Sequence, residues 1–528
     1  MRITEVTAGM RLVAPPSAAL SAALSAARSA SLFAALLAAL FAVAPAASQD
    51  LRIEHVTIVS PERAEALRDV DVSILDGRIA SIAPAGPAHD KARPGIDAAT
   101  IDGKGLFLVP GLIDSHVHLD QVPGMTPEQE NAHKALAATA RAQLPRSYLL
   151  HGFTTLVDLV SDPAAMRRWK AHTPGPDTYF CGGAALMDGY PMNWLPKPQR
   201  YAAAPYMVIE PGTTAPEGID PAQHTPQAVV AQMKRDGAIC VKTFFERGFG
   251  SAHDLPVPKL ETVRALVAAA HANGMPVFLL ANSQEAQAFA VQAGVDVIAH
   301  GMWNWDDSTP RSQVDLTPGA RAVLDDILAQ HIGWQPTMQV LAGLRDLFHP
   351  EFLARPEFAR VAPADLIAWY RSPEGQWFRD DMAKDFDTKD PAETAAIVER
   401  VFNRLIARDA SATRYLAQQG GRLLFGTDTP SAPTFANQPG WNGLLEMRNL
   451  LAAGETPLQI FRSATLANAQ ALHLERDIGT VEVGKRANLL LLRSDPTQSI
   501  EAYDQIAQLI LQGHAYDVAD LSAGARSR

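Results

Sequence analysis

In Val109-Pro110-Gly111-Leu112-Ile113-Asp114-Ser115-His116-Val117-His118 an apolar run of strand type leaves a Pro-Gly turn and ends in His-x-His. Side chains alternate faces along a strand, so His116 and His118 point to the same side, about 7 Å apart at ~3.4 Å per residue. Two imidazoles so placed can converge on one cation. Alone, the pair is weak evidence, because same-side histidines on a strand commonly sit hydrogen-bonded in a core or at a surface. The chain on either side has to decide between these readings.

Downstream, strand-like and helix-like segments alternate. The strand candidates are Leu112–Val117, Thr154–Leu159, Thr178–Gly182, Ala238–Phe245, Val277–Asn282, Val295–His300, Gly333–Met338 and Arg422–Asp428. Stretches rich in Ala, Leu, Glu and Gln separate most of them, among them Glu128–Leu150, Pro258–Asn273 and Gln284–Ala293. Eight strands with intervening helices fit an α/β fold of the (β/α)8 TIM-barrel type. An open doubly wound sheet is the alternative, but no Gly-x-Gly-x-x-Gly follows an early strand. A helical, charged and aromatic excursion at about 306–419 surrounds strand seven, and insertions of this kind sit over the active face of a barrel.

Upstream, Leu51–Val59, Val70–Leu75 and Arg78–Ile82 read as strands, the last two flanking Asp76-Gly77 as a hairpin. The segment from Gly479 to Asp517 reads the same way. Neither end carries enough strands for a sheet of its own, so both are expected to combine into one small composite β-sandwich domain. The organisation expected is a leader over 1–48, the N-terminal half of the β-sandwich over 49–109, the barrel over 110–472 and the C-terminal half of the β-sandwich over 473–520.

The first residues have the layout of a secretory signal. Arg2, Arg11 and Arg28 precede an apolar run from Leu32 to Val43, and Ala44-Pro45-Ala46-Ala47-Ser48 offers an A-x-A cleavage site. An uncleaved anchor is the alternative, for which the run is short. Export to a periplasm or to the medium is therefore expected, with no membrane attachment after cleavage. Over the whole chain, 47% hydrophobic and 20% charged residues describe a globular protein, and the net charge of −11 argues against nucleic acid as a partner. Cys181 and Cys240 are the only cysteines. They exclude a disulfide framework and read as two buried free thiols, a single bond being the alternative. Oligomeric state is left open, a homo-oligomer included.

Residues able to bind a metal recur at the C-terminal ends of the barrel strands: His116 and His118 on strand one, Lys242 in strand four, His300 after strand six and Asp428 after strand eight. In a barrel these ends form one rim. Singly, Lys242 could be a surface lysine, His300 a core histidine and Asp428 a helix cap. Together, Pro110–His118, Val241-Lys242, Gly294–Gly301 and Leu424-Phe425-Gly426-Thr427-Asp428 resemble the amidohydrolase superfamily, nearest its imidazolonepropionase-like and prolidase-like branch. Ala467-Asn468-Ala469 and Gly479–Leu489 match the same family, and the resemblance runs over nearly all of residues 51–515.

That resemblance implies a metal-dependent hydrolase acting on an amide, peptide or cyclic amide bond of a small-molecule substrate. It implies that His116, His118 and Asp428 bind a first metal, with Asp428 also the general base. Lys242 would be carboxylated to a bridging carbamate and His300 would serve a second metal. Zinc suits such ligands. One position departs from the pattern. After His271-Ala272-Asn273-Gly274, the slot of the strand-five histidine holds Leu280, and Asn282 on the same face is a poor zinc ligand. One tight site and a doubtful second one follow. A degenerate member that binds without hydrolysing, and lactone or phosphoester chemistry on the same scaffold, are the alternatives.

Overall fold

A computed structural model describes residues 50–527 apart from 87–98, 120, 197–198, 201–203, 250–253, 387, 389 and 432. The leader expected over 1–48 lies outside the described residues. No helix among the described residues is long and apolar enough to cross a membrane.

Strands from the two ends of the chain meet in one sheet. The N-terminal end supplies β1 (Leu51–Ile58), β2 (Leu67–Leu75), β3 (Arg78–Pro84), β4 (Ala99–Asp102) and β5 (Phe107–Pro110). Asp76 and Gly77, both at positive φ, make the tight turn between β2 and β3, as the Asp-Gly signal predicts. The strand Leu489–Leu492 pairs antiparallel with β5, Leu491 opposite Leu108, and is followed in the sheet by Ile506–Leu511 and His514–Tyr516. All four leucines of Leu489–Leu492 are buried because both faces are covered. Leu489 and Leu491 join the sheet's own core with Ile53, Val72 and Ile74, whereas Leu490 and Leu492 join the large core beneath. Both ends of the chain contribute strands to this one sheet, as expected. β4 and β5 both pair in parallel with β1, one after the other, so the eight strands are linked by hydrogen bonds into one sheet.

The central portion is a curled parallel sheet of the TIM-barrel kind, with strands in sequential order. They are β6 (Leu112–Val117), β7 (Phe153–Asp158), β8 (Asp177–Ala184), β9 (Cys240–Phe244), β10 (Val277–Leu280), β11 (Val297–Ala299) and β12 (Gly333–Gln335). Each is buried along most of its length. The eighth segment differs from expectation: 422–429 is not a regular strand. It bridges the two edges of the curl all the same, Leu424 N–H donating to Trp334 O (2.8 Å) and Asp428 N–H to His116 O (2.7 Å). Asp428 has φ 57°, which an L-residue in a strand cannot have. Gly426 allows the segment to lie against strand one, since a Cβ there would come within 2.7 Å of the His116 Cβ.

Ile113, Val157, Cys181, Cys240, Phe278, Val297 and Leu424 form one buried cluster, a layer drawn from seven successive segments that fills the barrel interior. Within it the expectation of free thiols fails. Cys181 and Cys240 are opposite each other in the β8–β9 pairing, with Cα atoms 4.4 Å apart, and form a disulfide.

Helix Gln284–Ala293 falls where the sequence puts it, ending on Gly294 in the left-handed conformation. Glu128–Leu150 instead divides at His133 into Pro127–Ala132 and Lys134–Leu150. In the excursion, Pro318–Ala329 is an ordinary barrel helix, while Met338–Asp346, several shorter helices and the 29-residue Pro391–Gln419 follow β12. These later helices abut the loops at the mouth. Trp377 Nε1 donates to Gly124 O at 3.0 Å, and Leu341, Val398 and Phe402 pack against Trp303.

Candidate metal centre

Strand one and the closing segment build the core of the site. The Oδ1 atom of Asp428 lies 3.0 Å from Nε2 of His116 and 2.9 Å from Nε2 of His118. One ligand atom from each of the three residues lies within 4.8 Å of the others. Buried polar contacts behind this triad hold its two elements together. Asp114 accepts from Thr427 Oγ1 (2.6 Å) and from the Thr427 and His116 amides. Ser115 Oγ donates to Phe425 O, and Gln335 Nε2 donates to Ser115 Oγ, both at 2.7 Å. Asn468, from the Ala467-Asn468-Ala469 motif, donates to both Ile113 O and Phe425 O. The motif therefore staples strand one to the closing segment. Such support keeps a ligand set within the tolerance a metal demands.

Lys242 reaches the same neighbourhood from β9. It is 1% exposed, and its Nζ has no hydrogen-bond partner among the described residues. A buried ammonium has three donors to satisfy, so the environment disfavours that form. Burial lowers the Lys242 amine to about 7 against the pull of Asp428. His300 sits at φ 80° after β11, its ring centroid 5.0 Å from that of His116 and its Nδ1 2.8 Å from Thr337 Oγ1.

The charges are arranged for a cation. Burial lowers the His116 ring to about 4, Lys242 acting the same way and Asp428 against both. Burial also acts on His118, but the Asp158 and Asp428 carboxylates outweigh it and hold that ring at about 9. Asp158 does so by charge, since 3.8 Å from His118 Nδ1 is too long for a hydrogen bond. Burial opposes ionisation of Asp428, yet the His116, His118 and His300 rings hold it well below the usual carboxylate range. Burial drives His300 well below its ordinary value. A proton on His118 thus balances Asp428 where a divalent ion could do so instead.

The fifth strand contributes no ligand. Leu280 is buried with Phe244, Ala185, Met192 and Met207 in an apolar cluster, opposite Phe244 in the β9–β10 register. Asn282 Nδ2 donates to Glu246 Oε2 at 2.6 Å, so the amide is engaged with a carboxylate. His271 pairs at the surface with Asp296 and takes no part. Sequence reasoning missed Asp158, Thr337, Glu246 and Tyr190. The first two were discoverable only through the register and turn that bring them to His118 and His300. Glu246 lies four residues after Lys242, on the alternation that also includes Phe244.

The chain matches the model of the Amidohydrolase family over residues 390–516, a stretch that includes Asp428 and the Asn468 motif. Locally it is 37% identical over 112 residues to an adenine deaminase of Paracoccus denitrificans (strain Pd 1222), a match spanning 21% of this chain and only 15% of that enzyme's length. Among solved structures it shares its fold with a Xaa-Pro dipeptidase with bound methionine, at TM-score 0.58 and 21% identity, over 89% of this chain and 100% of the other. It is similar in fold also to the A. niger ochratoxinase, at TM-score 0.60 and 17% identity, over 89% and 96% of the two chains. The amidohydrolase family is metal-dependent, and His116, His118 and Asp428 are a candidate metal-binding group here. The Amidohydrolase family model thus matches residues 390–516, and the fold over 89% of the chain is like that of the Xaa-Pro dipeptidase.

Proposed function

We propose that this protein is a metal-dependent hydrolase that cleaves a carbon–nitrogen bond, amide, peptide or cyclic amide, in a small molecule. The observation that carries the reading is the convergence of His116, His118 and Asp428 beside a buried Lys242 whose Nζ has no partner among the described residues. An adenine deaminase and a Xaa-Pro dipeptidase among the similar proteins are names of carbon–nitrogen chemistry, which supports the bond class.

In this reading His116, His118, Asp428 and a Lys242 carbamate hold one divalent ion, zinc by the nature of the ligands. The bound ion supplies Lewis acidity, making water nucleophilic near neutral pH and polarising the carbonyl. Asp428, kept ionised by the surrounding rings, takes the proton of the attacking water and delivers it to the leaving nitrogen. Asp158 steadies the orientation of His118. His300, fixed through Nδ1 by Thr337, presents its other nitrogen to substrate or water. The buried Cys181–Cys240 disulfide belongs with an oxidising compartment and supports export after removal of the leader.

Turnover of a library of dipeptides, N-acyl amino acids and cyclic amides, abolished by chelator and restored by zinc, is the expected result. Leu280 favours a second reading, in which the site binds a ligand without hydrolysing it. Zinc-loaded protein that binds but never turns over any amide, lactone or phosphoester would establish that second reading.

A further inference from the structure

Helix Met338–Asp346, which follows β12, starts in an unusual way. A threonine just before a helix ordinarily lies in extended backbone and turns its hydroxyl back to accept from a first-turn amide. Thr337 holds that position but has φ 52° and ψ 39°, and its hydroxyl makes no bond to the helix. A β-branched residue is seldom found in this left-handed region, so the surroundings have to hold it there. Its Oγ1 lies instead 2.8 Å from His300 Nδ1. The main chain ties the same two segments together again, Gly301 N–H donating to Pro336 O at 2.9 Å.

The amides that Thr337 leaves are taken by another helix. Glu446, 1% exposed on helix Trp441–Ala453, accepts from Met338 N–H through Oε1 (3.0 Å) and from Gln339 N–H through Oε2 (2.6 Å). Three residues on, Asn449 Nδ2 donates to Gln339 Oε1 at 3.0 Å, so one helix grips the first turn twice. Met338 and Gln339 are both buried, where an amide without an acceptor is costly. Burial pushes the Glu446 carboxyl up to about 8 against the pull of these two amides. Charged or neutral, each of its oxygens keeps a lone pair for an amide.

We propose that Glu446 is a positioning residue that caps this helix in place of Thr337, and so frees the threonine hydroxyl to orient the His300 ring. The inference deepens the hydrolase reading and rests on it for the effect on turnover. Without Glu446, the direct repair is for Thr337 to return to extended backbone and cap its own helix. That movement takes the hydroxyl away from His300.

The test is a double-mutant cycle in the zinc-loaded full chain, with Glu446→Gln and Thr337→Val. The substrate is the dipeptide, N-acyl amino acid or cyclic amide that the parent turns over fastest. Glutamine keeps the size of the side chain but turns an NH2 toward one of the two amides. Glu446→Gln should lower kcat/KM about three- to tenfold with the zinc content unchanged. In the Thr337→Val background it should cost less than about twofold, because the hydroxyl it acts through is gone. A second readout needs no turnover. The ring 15N signals of His300 in metal-free protein should shift in Glu446→Gln, and in the same direction as in Thr337→Val. If Glu446→Gln does not fold, Glu446→Asp, one carbon too short to reach both amides, goes through the same two measurements. Effects of the two changes that simply multiply, or His300 signals that keep their parent values in the Glu446 variant, reduce Glu446 to a helix cap and overturn the inference. If the parent cleaves nothing, the hydrolase reading fails by itself, and the His300 signals alone decide for or against the role of Glu446.

Discussion

The two sides of the barrel mouth are built on opposite principles. On the side of strand one and the closing segment, the polar groups behind the triad are braced, Asp114 by Thr427 and Ser115 by Gln335 and Asn468. On the side of β10, Leu280 packs among Phe244, Met192 and Met207, and the nearest amide, Asn282, is turned to Glu246. One side can hold a cation with three convergent ligand atoms, and no such group is found on the other among the described residues. A fold that commonly places ligands around the whole rim can thus have half of it reassigned by one side chain. The rim supplies positions and the residue supplies chemistry.

Lys242 stands at the junction of the two sides, and its removal gives the largest effect. If Lys242 is a ligand as proposed, Lys242→Ala is expected to lose activity by at least about three orders of magnitude. Lys242→Arg should do no better, because a guanidinium keeps a charge and cannot become an anionic ligand. Short-chain carboxylates should restore part of the alanine variant's rate. Initial rates at saturating zinc measure all three. Near-normal turnover by either variant would make Lys242 a structural residue and erase the contrast.

The braced side carries its own counter-charge, which gives the next largest effect. His118 is held at about 9 by Asp158 and Asp428 against burial, so the metal-free protein keeps a proton there at neutral pH. A cation must displace it. Zinc uptake at pH 7 should release about one proton from His118, and affinity should climb roughly tenfold per unit up to about pH 9 and then level. The same shift makes the metal-free fold bind more protons than the unfolded chain between about 6.5 and 9. This contribution to stability is therefore full below 6.5 and lost as the pH rises through 9. Titration calorimetry in buffers of differing ionisation enthalpy reads the proton count. No release from the apo-protein at pH 7 would place the cation elsewhere.

Much of the braced side was legible in the sequence, because strand alternation and the strand-end rim bring His116, His118, Lys242, His300 and Asp428 together without knowledge of any contact. That Leu280 stands in the slot of a ligand was legible only against the pattern of the family the sequence resembles. Asp158 was not, since its role depends on the register that sets β7 beside β6. Thr337 acquires its role from a left-handed turn at φ 52° that no residue type announces. The disulfide joins residues 59 apart and depends on β8 and β9 being neighbours in register. Alternating apolar residues at the chain ends fit one curled sheet as well as two facing layers, so the pairing of β1 with both β4 and β5 could not be foreseen.

A smaller effect is expected from Thr337→Val, a near-isosteric change that removes the hydroxyl 2.8 Å from His300 Nδ1. If His300 orients substrate or water rather than completing the tight site, kcat/KM should fall three- to tenfold while the zinc content stays the same. Metal analysis beside the kinetics separates the outcomes. A fall in bound zinc would show that His300 belongs with the triad, and the division of the mouth would then run between β11 and β10.

Leu280→His sharpens the comparison most directly and shifts its readout least, by one metal ion. In the proposed reading the unmodified protein should retain close to one equivalent of zinc after exhaustive dialysis, because a second position would have only a Lys242 carbamate and His300 to offer. Two protein ligands leave the rest of the coordination to water, and such an ion exchanges readily. An imidazole at 280 would stand beside Phe244 on the face that carries Lys242, and would supply the third ligand. The substitution costs packing, since Leu280 is 5% exposed in an apolar cluster. A loss of about 1–3 kcal/mol from burying the ring with one nitrogen unpaired should be partly recovered when a second ion binds. Elemental analysis should move from one equivalent toward two, and the melting temperature of the variant should rise with added zinc more than that of the parent. Two equivalents held by the unmodified protein would mean that a residue on the apolar side already ligates, Asn282 by rotation of its amide away from Glu246 being the one within reach. One equivalent held by a folded Leu280→His variant would mean that His300 faces substrate and not a vacant metal position, and that the two sides of the mouth differ in more than one residue.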